Sequence, residues 1–170
     1  MTPIIKFEDE KQMIELLKEW KKRLYLDDWE IAIYFAHQCE MSKNGLAGES
    51  NVNFVNMCGE IKILYPNDFD PKEYIMRQSQ EQVLIHELLH FKYMGFEENG
   101  ASTIEGAYYD EMQHQLLEQM ARSLFLAKYD LQPDWFKHNT DVENDTMKRS
   151  FEALGNAMIE GLVNGIRGGF

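Results

Sequence analysis

Apolar residues recur three and four positions apart between Phe7 and Leu26, at Met13, Ile14, Leu16, Leu17, Trp20 and Leu24, with Glu and Lys between them. That spacing predicts an amphipathic helix with one face turned to a core. Asp27-Asp28 breaks the pattern, and Trp29 to Phe35 reads as a strand from its β-branched and aromatic residues. A Gly-containing loop between Asn44 and Gly48 leads to Glu49 to Met57, where Val52 and Phe54 alternate with polar neighbours and predict a second strand. Cys58-Gly59 forms a tight connection to Glu60 to Tyr65, which alternates until Pro66-Asn67-Asp68 stops it. These segments predict a three-stranded, largely antiparallel sheet.

The period then returns to that of helices. After Asp70-Pro71, a helix-start signal, the chain runs to about Met94 without Gly or further Pro, and Gly95 suits the position just past a helix end. A loop from Glu97 to Gly106 precedes a second helical stretch, Tyr108 to about Tyr129, with Met112, Leu116, Leu117, Met120, Leu124 and Phe125 as its apolar set. Pro133 ends it. A last helix is predicted from Thr146 to about Val163, followed by a Gly-rich end, about residues 164–170, expected to fray. The predicted fold class is α+β, in a single domain over residues 1–170.

Composition narrows the function. Twenty-nine acidic against 17 basic residues give a net charge of −12, which repels phosphate backbones and anionic lipid, so neither nucleic acid nor membrane is the expected partner. The first residues, MTPIIKFEDEKQ, hold no apolar signal region, and no run of 18 apolar residues occurs, so the expected location is cytoplasmic. Cys39 and Cys58 stand alone without a CxxC and are expected as two reduced thiols.

The chemistry lies in VLIHELLHFKYMGF, Val83 to Phe96. On a helix His86 and His90 sit about 40° apart, one turn above the other, so both imidazoles reach one ion without backbone strain. Glu87 falls about 100° from His86, beside such an ion and not on it, where a carboxylate moves protons for metal-activated water. Leu84, Leu88 and Phe91 form an apolar stripe on the other side, and burying two imidazoles and a carboxylate without partners is costly. A metal supplies the partner, and zinc is the expected ion. Catalytic zinc takes three protein ligands and leaves a fourth position for water. The compact HExxHxxGxxH pattern is absent, so the third ligand comes from downstream, where Glu111, His114 and Glu118 share an arc of about 60° on the following helix. Periodicity alone leaves that choice open. Glu105 and Asp110 are weaker candidates, Tyr93, Tyr108 and Tyr109 are candidate oxyanion donors, and His37 and His138 show no metal spacing.

VLIHELLHFKYMGF followed by HQLLEQMARSLFLA resembles the small HExxH metallopeptidase-like proteins of bacteriophages and prophages, and more broadly minimal gluzincins. The resemblance covers about Gln78 to Lys128. It implies that a glutamate on the second helix completes the site, and the matching positions are His86, Glu87, His90 and Glu118, with His114 as the alternative third ligand. It also implies that an edge strand, either Glu49 to Asn56 or Gly59 to Leu64, binds an extended peptide by strand addition. The expected architecture is therefore a minimal zincin-like one, with the sheet packed on an active-site helix, a glutamate helix and flanking helices. The expected activity is zinc-dependent hydrolysis of peptide bonds with Glu87 as general base, acting on a peptide or protein substrate. The alternative is a phage-type zinc-binding regulatory or interaction protein whose HExxH site is idle or latent.

Overall fold

The computed structural model of the chain describes residues 2–71, 73–74, 76–93 and 104–137, with the backbone alone for 104–110. Helix α1 spans Glu10–Arg23, strands β1, β2 and β3 span Glu30–Ala36, Gly48–Asn53 and Cys58–Leu64, and helices α2 and α3 span Gln80–Tyr93 and Ile104–Tyr129. These elements belong to one compact unit, residues 1–133. A second unit comprises residues 134–170, of which 134–137 are described, in the short 3-10 turn Pro133–Phe136. The predicted Thr146–Val163 helix, the fraying end, His138 and Gly95 lie outside the described residues.

Helix α1 is shorter than its apolar pattern because both ends are capped. The Asp9 carboxylate accepts from the Gln12 N–H at 2.7 Å, satisfying one of the free donors of the first turn. At the other end Tyr25 takes a left-handed φ of 56°, and the N–H groups of Tyr25 and Leu26 return to the carbonyls of Lys22 and Lys21. That paired closure turns the chain out of the helix. Met13, Leu16, Leu17 and Trp20 form its buried face.

The sheet is mixed rather than largely antiparallel. Its order is β1-β3-β2, with β3 antiparallel to β2 and parallel to β1, in register from Glu30 opposite Cys58 to Ala36 opposite Leu64. The β2–β3 hairpin is the local pairing that the alternating pattern implies. The segment after β1 instead carries β2 to the far edge, so β3 returns into the centre of the sheet alongside β1. One consequence corrects the strand-addition expectation: Gly59 to Leu64 is the central strand, with both backbone edges already paired. Among the described strands only β1 and β2 present a free edge.

Helix α2 is the central element, and every residue from Gln80 to Phe91 is buried. It begins nine residues after Pro71, because Ser79 caps it: its hydroxyl accepts from the Gln82 N–H at 3.1 Å and donates to the Ile4 carbonyl at 2.7 Å. Ser79 followed three residues later by Gln82 is a helix-start signature. The predicted start near Pro71 is therefore too early. Gln80 accepts from the Phe7 N–H at 2.7 Å and donates to the Leu64 carbonyl, tying the amino-terminal segment and the end of β3 to the helix. Phe91 packs on the sheet where Gly59 leaves room, since a Cβ there would stand 2.7 Å from the Phe91 ring. Trp29 contacts Phe91 and Phe54 edge-on at 5.4 Å each, which fastens the hairpin to α2.

Helix α3 buries Leu117, Ala121, Phe125 and Tyr129, a spacing of four that makes one narrow seam. Met112 and Leu116, counted in the predicted apolar set, are 49% and 55% exposed. They lie on the side opposite that seam.

Candidate metal centre

Three imidazoles meet between α2 and α3. His86 and His90 come from successive turns of α2, and His114 from α3; their candidate ligand atoms all lie within 4.8 Å of one another. His86 Nε2 and His90 Nε2 are 3.2 Å apart. Two nitrogens bound to one tetrahedral zinc at about 2.0–2.1 Å stand about 3.3–3.4 Å apart, so this separation is that of a ligand edge. The His114 ring centroid is 4.7 Å from that of His86 and 5.3 Å from that of His90. For His90 and His114 the surroundings favour the neutral ring, the form that ligates a metal. Burial, with His86 and His114 nearby, pushes His90 down to about 3. Burial also lowers His114, aided by His86 and Lys43 and opposed by Glu118. The Nδ1 atoms of His86 and His90 are buried without hydrogen bonds. A close cluster of three imidazoles, two of them buried, with the edge of a tetrahedron between His86 and His90 fits a divalent ion of zinc's preferences.

Glu118 stands beside this cluster on the far nitrogen of His86. Its Oε2 is 3.1 Å from His86 Nδ1, off the line of a hydrogen bond. Gln82 Nε2 donates to Oε1 and Oε2 at 3.0 and 3.1 Å, and Arg122 pairs with Oε1 at 2.7 Å. Burial raises the Glu118 carboxyl, but the contacts with His86 and Arg122 outweigh it and hold the group below its ordinary range. The structure thus groups His114, the alternative candidate, with the HExxH pair, and gives the Glu118 carboxylate three other neighbours.

Glu87 is buried, and burial raises its carboxyl, while His86 and Ser50 pull it down and Glu49 and Glu118 raise it further. It faces the start of β2. A Cβ on Gly48 would stand 2.5 Å from Val83 Cγ1 and 2.9 Å from Glu87 Oε1, so only a residue without a side chain allows the strand this close to the helix. The result is a cleft of about 150 Å³ walled by Gly45 to Gly48 on one side and by His86, Glu87, His114 and Glu118 on the other.

Tyr74, Gln78 and Gln82 also line this cleft, and none was among the sequence candidates. A signal existed for one glutamine: Gln82, His86 and His90 repeat every four residues, the spacing of one helix face. Of the candidate tyrosines, Tyr93 is half-buried at the end of α2, where its carbonyl accepts from Gln113 at 3.0 Å; the side chains of Glu105, Tyr108, Tyr109 and Asp110 lie outside the described residues. Glu111 is exposed. His37 is exposed and pairs with Asp68 at 2.7 Å, far along the chain from the cluster. Cys39 and Cys58 are both free thiols. No helix among the described residues is long and apolar enough to cross a membrane. No family model, curated protein or solved structure matches this chain, so the centre rests on the geometry of its own residues.

Proposed function

We propose that the chain is a zinc-dependent peptidase in which His86, His90 and His114 hold the ion and Glu87 handles the proton. The observation that carries this reading is the convergence of three imidazoles beside a buried carboxylate at the wall of a cleft. A zinc ion held by these three residues would supply Lewis-acid chemistry for the hydrolysis of an amide. Glu87, raised by burial, is suited to take the proton of the attacking water and pass it to the leaving amine. Glu118 then serves as the partner of His86 Nδ1, orienting the ring, with Gln82 and Arg122 holding the carboxylate in turn. This inverts the expected order of preference between Glu118 and His114.

The edge of β2 is the natural seat for an extended substrate. The Leu64 N–H donates to the Ala47 carbonyl at 2.9 Å, and backbone groups alternate between the two edges of an antiparallel strand. By that parity Gly48, Ser50 and Val52 turn their N–H and C=O groups away from β3, beside the cleft, where a substrate strand pairs with them.

Metal analysis and turnover test the reading together. The purified chain is expected to take up one equivalent of zinc, and His86→Ala, His90→Ala and His114→Ala to lose it. Glu118→Ala is expected to keep zinc with affinity reduced about 10- to 100-fold, the usual cost of losing a ligand's partner. Zinc retained by His114→Ala and lost by Glu118→Ala would return the third position to Glu118. Glu87→Gln is expected to retain zinc and abolish peptide hydrolysis. Stoichiometric zinc with no hydrolysis of a diverse peptide library by the unaltered chain would favour the binding or regulatory alternative.

A further inference from the structure

The outer edge of β1 is a row of unpaired backbone groups beside a row of half-buried apolar side chains. The Glu30 N–H donates to the Met57 carbonyl and the Tyr65 N–H to the Ala36 carbonyl. By the alternation of a parallel ladder, Glu30, Ala32, Tyr34 and Ala36 therefore bond to β3, while Ile31, Ile33 and Phe35 turn their N–H and C=O groups outward. The carbonyl of Trp29, next in that outward series, is taken by Lys21 Nζ at 2.6 Å; among the described residues nothing takes those of the other three. On the inner face the same three side chains are only half-buried, although Ile61 and Ile63, opposite Ile33 and Phe35, are 0% exposed. The core thins toward this edge. Edges are ordinarily guarded by lysine, proline, a bulge or short length. β1 has seven residues in unbroken register with β3 and none of those guards.

We propose that β1 pairs with the β1 of a second copy of this chain, antiparallel about a two-fold axis at Ile33, so that two three-stranded sheets become one continuous sheet. That register pairs the three outward residues wholly with one another, Ile33 with itself and Ile31 with Phe35. On the inner face it sets β-branched against aromatic side chains, a favourable cross-strand combination. On the outer face Tyr34 falls beside Ala32 and Glu30 beside Ala36, large against small, with no like charges opposed. Asp27, Asp28 and Glu30 of the two copies lie at opposite ends of the pairing. A foreign strand would satisfy the backbone groups, but only the chain's own sequence supplies this match of side chains. Two chains of net charge −12 repel each other, and a contact of one strand pair belongs to the weak class below about 1,200 Å². The dimer is therefore reversible and tightens with salt, which screens the repulsion. It is independent of the peptidase reading and leaves the β2 edge free.

Sedimentation equilibrium of the full chain from roughly 5 to 500 μM, at about 0.5 M salt, is expected to show a monomer–dimer equilibrium. Ile33→Pro removes an N–H that faces away from β3, a change an edge strand tolerates, and is expected to keep the circular dichroism of the parent while weakening the dimer about 10-fold or more. Cross-linking reads the register without relying on that variant. Residues paired this way have Cα atoms about 5.5 Å apart, within disulfide range. In a Cys39→Ser, Cys58→Ser background, mild oxidation is expected to give a covalent dimer from Ile33→Cys. An equimolar mixture of Ile31→Cys and Phe35→Cys chains is expected to cross-link as well, and neither of those two alone. A monomer throughout the concentration range, a folded Ile33→Pro that dimerises as the parent does, or cross-links from Ile31→Cys alone as readily as from the mixture would overturn the pairing.

Discussion

At the scale of single residues the centre is a set of groups kept in their neutral or paired forms by their surroundings. His90 shows the effect most clearly. It sits at about 3 in the folded chain and near 6.5 when unfolded, so over that interval the unfolded chain binds the extra proton. Stability of the metal-free protein is therefore full above about pH 6.5 and falls as pH drops toward 3. Urea unfolding of chelator-treated protein across this range is expected to show that decline, and His90→Phe to flatten it. An identical slope in the variant would mean that His90 does not titrate as its burial dictates. The residues of the HExxH pair were legible in the sequence because helical geometry alone puts them on one face. Their partner on α3 was legible only down to a choice of two, since His114 and Glu118 are one turn apart and share a face of α3; the packing of α2 on α3 decides how each of them stands to His86.

At the scale of elements, the approach of β2 to α2 fixes the width of the cleft. Gly48 makes that approach feasible, and its neighbours are a β-branched side chain and the proposed general base. Gly48→Ala is expected to cost about 1–3 kcal/mol, the range for an added methyl group in a packed site, seen as a lower denaturation midpoint. Shortening the opposing side chain with Val83→Ala in the same chain is expected to restore part of it. Additive losses in the double variant would show that the contact with Val83 is not the source. The elements themselves were largely readable: α1, the hairpin strands and the two later helices all announce their period. The parallel pairing of β1 with β3 was not, because alternation within a strand says which face is buried and nothing about which neighbour it joins. The start of α2 was written in Ser79 and Gln82, but the Asp70-Pro71 signal upstream competes with it.

At the scale of the whole unit, the sequence marks α2 as a buried helix through its apolar stripe, yet its polar residues are as informative as its leucines. Glu81 is fully buried, and it accepts from Trp20 Nε1 at 2.8 Å, from Lys128 Nζ at 2.7 Å and from the Tyr129 hydroxyl. Lys128 also reaches Glu19 at 2.9 Å. One glutamate on α2 thus joins α1 to α3 on the side away from the histidines, and no periodicity argument finds such a junction because its partners are 47 and 61 residues away. Lys128→Met leaves the Glu81 carboxylate buried with its main cation gone and is expected to cost about 3–5 kcal/mol. Adding Glu81→Leu in the same chain should recover much of that in urea unfolding. No recovery would mean that Lys128 acts through its contacts with Trp20 and Tyr129 rather than through the ion pair.

This junction makes α3 a lever. It is clamped near Lys128, while His114 lies 14 residues back along the helix, about 21 Å at 1.5 Å per residue, and none of the described side chains from Glu111 to Leu116 is buried. An ion shared by His86, His90 and His114 would add a fastening to this stretch, beside the Gln113 bond to the Tyr93 carbonyl. Amide hydrogen exchange around His114 is accordingly expected to slow on zinc addition far more than exchange around Phe125. The metal would then join the two helices just beyond Leu117, where the described buried seam of α3 ends, and occupancy of the centre would be felt as the stiffness of that part of α3.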